Sequence, residues 1–193
     1  MTNRASIALT FDDGPDPTHT PLLLNVLKQH KAQATFFLVG KQLEQYPDIA
    51  KQIITEGHEI GNHTYSHPNL RKLDYQQIYE ELYIMDLMIR TVTGQSPTLF
   101  RPPYLYYNDN VLKAAKKLGY EMILRSIETF DYRNPGVRKI IKSVLGNLKH
   151  GDIVLMHDAG GNRMDTITAV EKILIECQKK DYQFVKVSKL LHK

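Results

Sequence analysis

One cysteine, Cys177, stands in a chain of 193 residues. A single thiol can close no internal disulfide and cannot build a thiolate zinc site, and its setting, LIECQKK, reads as the buried face of a helix. Lack of disulfides leaves the redox compartment open, because a core of this size needs no staples. Glycine and proline, 11 and 9 residues, are too few and too scattered for a collagen-like or linker composition. No low-complexity tract and no run of five like charges occurs, which excludes disorder as the main state and gives no sign of a nucleic-acid partner. No stretch approaches the roughly 20 apolar residues of a membrane span. The N-terminal run MTNRASIALTFDDG is too short in apolar residues for a signal peptide and ends in two aspartates. Its sequence therefore fits a cytoplasmic protein, or one whose leader or anchor lies outside this chain.

What is present is ordinary globular material. The length matches one domain of roughly 100–200 residues, expected over 1–193, and 42% hydrophobic with 24% charged residues is ample for one core. The net charge of +4 is mild and reads as a solvated surface before an attraction to an anionic polymer. Short apolar runs alternate with amphipathic stretches. SIALTF (6–11) predicts a buried strand closed by the turn DDGPDP. A helix capped by Thr18 is expected to run to about His30, followed by a strand at 33–39, a helix from Pro47 to Glu56 ending at Gly57, and a strand at 58–61. Asp74 and Gln77 form a capping-box pattern for a helix that Gly94 ends. Strands at 98–101 and 120–126 flank a helix from 109 to Gly119. Asn134-Pro135 opens another helix with proline at its first position, and strand 152–157, helix 164–180 and strand 184–187 close the chain.

Seven apolar β units separated by helices predict a parallel sheet buried on both faces. The choice lies between an open doubly wound sheet and a barrel, and the absence of any GxGxxG or Walker pattern after the first strand weakens the nucleotide-binding open sheet. The expected fold class is α/β, a distorted (β/α) barrel of about seven parallel strands.

The polar residues that follow each strand then acquire a common position. They are Asp12 and Asp13, His63 and His67, Arg101, Asp131 and His157. In an α/β barrel the C-terminal strand ends converge on one face, where active sites are built. His63 and His67, spaced i, i+4, would put two imidazoles on one side of a helical turn, and a strand-end carboxylate would complete a His₂-carboxylate site with open positions, suited to zinc or another divalent ion. Of two adjacent aspartates, one can bind metal while its neighbour serves as a base. Opposite them, His157 would be the natural general acid.

TFDDG (10–14), HTYSH (63–67), RPPY (101–104), ETFDY (128–132) and LMH (155–157), with GHEIGNH (57–63) leading into the second, resemble the ordered motifs of the polysaccharide deacetylases. This is the NodB-homology domain, or carbohydrate esterase family 4, and the similarity runs from residue 6 to about 190. The resemblance implies metal-dependent hydrolysis of N-acetylated sugars with release of acetate. It implies Asp13, His63 and His67 as ligands of one divalent ion, zinc before cobalt, nickel or manganese. Asp12 would be the base, held by Arg101, and His157 the acid, tuned by Asp131. The backbone N–H of Tyr104 would help bind the oxyanion, and Leu155 would border the acetyl methyl. An N-acetylated glycan (peptidoglycan or chitin oligomers) is the implied partner, with the protein a monomer at the cell envelope or outside the cell.

The sequence departs from the family pattern around the pocket. Glu128 stands for the first Asp of the fourth motif, Tyr132 for its Trp, and Leu105 for the Gly found in many members after RPPY. The residues that would perform chemistry are intact and those that shape the pocket have drifted, which reads as altered substrate preference. A non-catalytic glycan-binding module and an esterase acting on O-acetyl groups of xylan remain the alternatives.

Overall fold

The computed structural model describes residues 4–191; the first three residues of the N-terminal run considered above lie outside that range. The chain builds β1 (Ser6–Asp12), α1 (His19–Gln29), β2 (Ala34–Leu38), α2 (Gly40–Gln45), α3 (Pro47–Thr55), β3 (Glu59–Asn62) and α4 (Tyr75–Thr93). It continues through β4 (Leu99–Phe100), α5 (Asp109–Lys117), β5 (Glu121–Met122), β6 (Ile127–Glu128) and α6 (Val137–Leu145). The last elements are β7 (Ile153–His157), α7 (Met164–Lys179), β8 (Gln183–Phe184) and α8 (Val187–Leu191). Every strand pairing is parallel, in the order β5-β4-β3-β2-β1-β7-β6, and β8 pairs with the start of β1. The result is a curled half-barrel whose row of strands has two edges.

Period-two alternation sorts the strand residues. Ile7, Leu9 and Phe11 of β1, with Val154 and Met156 of β7, face a large apolar cluster under the surrounding helices. Ala8 and Ile153 join Phe37, Leu99 and Ile123 in a smaller cluster. Continuing that second parity along β1 and β7 leads to Asp12 and His157, which are register partners at the C-terminal end of the sheet. Gly61 is a packing requirement here: a Cβ on it would lie 2.5 Å from the ring of Phe37. A third cluster, Ile78 and Leu82 with Val111, Ala114 and Phe100, seats α4 and α5.

Several sequence expectations change in register. Asp74 and Gln77 do form a reciprocal capping box, and Gly94 ends α4 at φ 71°. The expected strand 120–126 is two strands, β5 and β6, at opposite edges of the sheet, with residues 123–126 crossing between them. Thr18 makes no side-chain cap; Asp16 Oδ1 accepts the N–H groups of Thr18 and His19 instead. Pro135 precedes Gly136, the N-cap of α6, and so stands outside the helix. The C-terminal strand is only Gln183–Phe184, and Val187 already begins α8. α2 was not expected, since GKQLEQ is too short for a helical period to declare itself.

Candidate active site

Strand residues alternate faces, so two consecutive aspartates at a strand end should point apart. Asp13 escapes this because its backbone is left-handed, φ 77°, and its carboxylate reaches the same bowl as that of Asp12. The HTYSH segment is likewise not a helical turn. Thr64 and His67 both take left-handed backbone, φ 70° and 59°, and the turn is held by Thr64 N–H on Asn62 Oδ1 and His67 N–H on Thr64 Oγ1. The two imidazoles still converge, with ring centroids 5.0 Å apart, but through strained loop geometry and not helical periodicity.

Asp13 Oδ1 lies 3.5 Å from His63 Nε2 and 3.2 Å from His67 Nε2, and one ligand atom from each residue falls within 4.8 Å of the others. His63 Nδ1 is 2.7 Å from the carbonyl oxygen of Arg101, which can only accept, so Nδ1 carries the proton and Nε2 keeps its lone pair for the cluster. Burial alone would raise the Asp13 carboxyl, but the adjacent imidazoles of His63 and His67, whenever they carry a proton toward it, outweigh burial and hold it far below the usual carboxylate range. A deprotonated carboxylate and a pre-set imidazole are what a divalent ion requires, and the donor set fits one.

Asp12 sits beside this cluster, 3% exposed, with Oδ2 3.8 Å from His63 Nε2 and Oδ1 accepting from Arg101 Nη1 at 2.8 Å. Arg101 is wholly buried and stacks its guanidinium over Phe37, 4.2 Å from the ring centroid. Burial pushes it down and the charge of Asp12 opposes that shift. The remaining donors grip Thr10 Oγ1 and the carbonyls of Ile123 and Leu124, so Arg101 ties the crossing segment to β1.

His157 stands beside Asp12 as its register partner on the neighbouring strand, and both line the bowl. His157 Nδ1 is 2.8 Å from Asp131 Oδ1, and its backbone N–H donates to Oδ2 of the same carboxylate. Thr129 and Thr166 hydroxyls also donate to Asp131. Burial depresses the imidazole, but the bond and charge of Asp131 overcome it and raise His157 to about 9.

The bowl has a volume of about 420 Å³. Leu155 lies in its floor, while Tyr104 and Leu105, both left-handed (φ 58° and 57°), and Tyr132 border it. All eleven residues expected from the sequence are therefore in or directly around one bowl. Two contributors were missed. Buried Arg163 lines the bowl and bonds the carbonyls of Ala159, Gly160 and Asp131; nothing in its sequence setting signals this. Asp158, 1% exposed, accepts from Thr20 Oγ1 and lies so close to Gly14 that a Cβ there would sit 2.4 Å from Oδ2. Its burial and the charge of Asp13, opposed by the Thr20 bond, push its carboxyl up to about 7. Its one signal was its place beside His157.

A curled parallel sheet with carboxylates and imidazoles gathered at its C-terminal edge has its polar cluster where α/β barrels build their active sites. The sequence profile described as polysaccharide deacetylase matches residues 1–123. The chain is 45% identical over 191 residues to a peptidoglycan-N-acetylglucosamine deacetylase of Bacillus cereus, covering 98% of this chain and 89% of the relative. It is 38% identical over 154 residues to a chitooligosaccharide deacetylase of a Bradyrhizobium species, covering 79% and 70%. A solved structure of a peptidoglycan N-acetylglucosamine deacetylase matches with TM-score 0.94 and 38% identity, over 97% of this chain and 88% of that one. The chain belongs to the polysaccharide deacetylase family, carbohydrate esterase family 4, and is a hydrolase of that class. Among the described residues no helix is long and apolar enough to cross a membrane.

Proposed function

We propose that this protein hydrolyses the acetamide of N-acetylglucosamine units in a glycan of the peptidoglycan or chitin-oligomer kind, releasing acetate and leaving a free amine. We propose further that it uses one divalent ion held by Asp13, His63 and His67, zinc in preference to cobalt, nickel or manganese. The observation that carries this reading is the flanking of that ligand cluster by two groups of opposite task, Asp12 fixed by Arg101 and His157 fixed by Asp131. The names of the relatives support both glycans.

The ion, when bound, supplies Lewis-acid polarisation of the acetamide carbonyl. Asp12 takes a proton from the attacking water, and Arg101 fixes the position of its carboxyl through the bond to Oδ1. The backbone N–H of Tyr104 donates to the oxygen on which charge develops. Leu155 borders the acetyl methyl. His157 gives its proton to the nitrogen as the C–N bond breaks, so the amine does not leave as an anion. One chain supplies all these groups, and we propose that it acts as a single domain over 1–193 and as a monomer.

The test is acetate release from chitooligosaccharides, peptidoglycan and acetylxylan, with and without chelator and added divalent ions. Release from the N-acetylated glycans, abolished by chelator and restored by zinc, is expected. Release from acetylxylan alone would make the protein an O-acetyl esterase, and binding without release from any of the three would make it a glycan-binding module.

A further inference from the structure

The mouth of the bowl carries exposed aromatic rings on two rims. One follows β4: Tyr104 packs edge-on against His67, 4.8 Å between centroids, and Tyr106 leans on Tyr104. The other follows β6: Tyr132 packs edge-on against His157 at 5.4 Å, and Phe130 leans on Tyr132. Each rim ends in an exposed arginine. Arg71 lies 3.8 Å over the ring of Tyr106, and Arg133 lies 5.1 Å from the ring centroid of Phe130 and 5.4 Å from that of Tyr132.

Both arginines stand on single 3-10 turns with pinned backbones, Arg71 N–H on the Asn69 side chain and Arg133 N–H on the Phe130 carbonyl. Among the described residues neither makes an ion pair, whereas Arg125, close by in sequence to the second rim, is neutralised by Glu128. A guanidinium that rests its face on an aromatic ring still offers the N–H groups along its edge, in the fork geometry that matches a carboxylate. Neutral sugars give such a fork no counter-charge.

We infer that Arg71 and Arg133 are carboxylate-binding residues, one on each side of the reacting sugar, which select glycan strands bearing anionic substituents over neutral oligomers. This rests on the deacetylase reading above and names the substrate class of that site more narrowly. The rings supply apolar platforms for the sugar faces, and the arginines read charge beyond them. Carboxylates on the sugars themselves or on attached peptides would satisfy the same fork.

The experiment compares four substrates: neutral N-acetylglucosamine oligomers, peptidoglycan strands, the same strands with their carboxylates amidated, and strands stripped of peptide. Each is assayed with the metal-loaded wild type, Arg71→Gln, Arg133→Gln, the double variant and the double Lys variant. The wild type is expected to favour carboxylate-bearing strands in kcat/KM, with a gap that shrinks as salt rises. The double Gln variant is expected to lose roughly tenfold on those strands through KM, the scale of one or two charge-assisted contacts. On neutral and amidated substrates it should change less than about twofold, and the Lys variant should recover part of the loss on the charged ones. Stripping the peptide frees a carboxyl on the sugar: a preference kept on these strands shows that the fork reaches a carboxylate held directly on the sugar, and one lost shows that it reaches only those of the peptide. Equal losses on charged and neutral substrates, or a wild type indifferent to amidation, would overturn the inference while leaving deacetylation intact. Should the wild type release acetate from none of them, the deacetylase reading fails instead. Equilibrium binding of intact against amidated strands then decides the role of the arginines.

Discussion

Arg101 and Asp12 form a buried ion pair, Nη1 to Oδ1 at 2.8 Å, in which the arginine is completely shielded from solvent. Removing one partner of such a pair strands the other charge, at a cost of roughly 3–5 kcal/mol. Arg101→Met also frees the carbonyls of Ile123 and Leu124. It is expected to lower unfolding free energy by about that much, measured in urea at neutral pH. A loss below about 1 kcal/mol would show that neither the pair nor the crossing segment depends on this side chain.

Asp12→Asn and His157→Ala separate chemistry from binding. Neither side chain belongs to the ligand set of Asp13, His63 and His67. Both variants should keep metal and glycan affinity within a few-fold and lose turnover by roughly 100-fold or more. Calorimetric titration with zinc and single-turnover acetate release give the two readouts; a parallel collapse of metal affinity would count against the assigned roles.

The elevation of His157 to about 9 depends on Asp131, because burial alone acts in the opposite direction. In metal-free protein the His157 ring resonances should titrate near 9, and Asp131→Asn should drop the midpoint below the ordinary value of about 6.5. The sign for stability follows. A raised histidine contributes fully below its unfolded pKa and loses that contribution as pH climbs through about 9. Asp131, held low against burial by its bonds to His157, contributes above the ordinary carboxylate range and loses its part on acidification. The melting-temperature difference between wild type and Asp131→Asn should therefore be largest at mildly acidic pH and shrink toward either extreme.

A chain of bonds reaches the HTYSH turn from α4: Tyr120 donates to Asp86 at 2.8 Å, Asn62 donates to Tyr120 at 2.9 Å, and Asn62 accepts from Thr64. Tyr120→Phe deletes two links without changing shape. Zinc affinity should fall roughly 10-fold, within the range seen for outer partners of metal ligands. An unchanged dissociation constant would mean the turn is set by its own backbone.

Leu105 holds a left-handed backbone that costs a β-carbon-bearing residue roughly 1 kcal/mol. Leu105→Gly should relieve it, raise stability slightly and widen the bowl beside Tyr104. Tyr132→Trp should enlarge the opposite rim. Both are expected to redistribute rates among glycans without abolishing hydrolysis, as read from a panel of oligomers of different length and substitution.

Much of this site was legible because strand ends are legible. SIALTF and DIVLMH are apolar runs in a parallel sheet, and Asp12, directly after the first, and His157, at the end of the second, emerge together at one edge as register partners. The HTYSH pair was found for a partly mistaken reason: its convergence comes from two left-handed residues, a conformation that Thr and His seldom adopt and no periodicity encodes. The division of 120–126 into β5 and β6 was hidden because YEMILRS contains no glycine or proline to mark the point where it changes neighbours. Arg163 was invisible for a related reason. Its partners are carbonyl oxygens, which every residue possesses.

The crossing segment between β5 and β6 gives the molecule a fastening whose buckle is also part of its chemistry. Because Arg101 holds the carbonyls of Ile123 and Leu124 with the same guanidinium that holds Asp12, one side chain secures both the crossing segment and the base. Any loosening of that segment is therefore expected to loosen Asp12 with it.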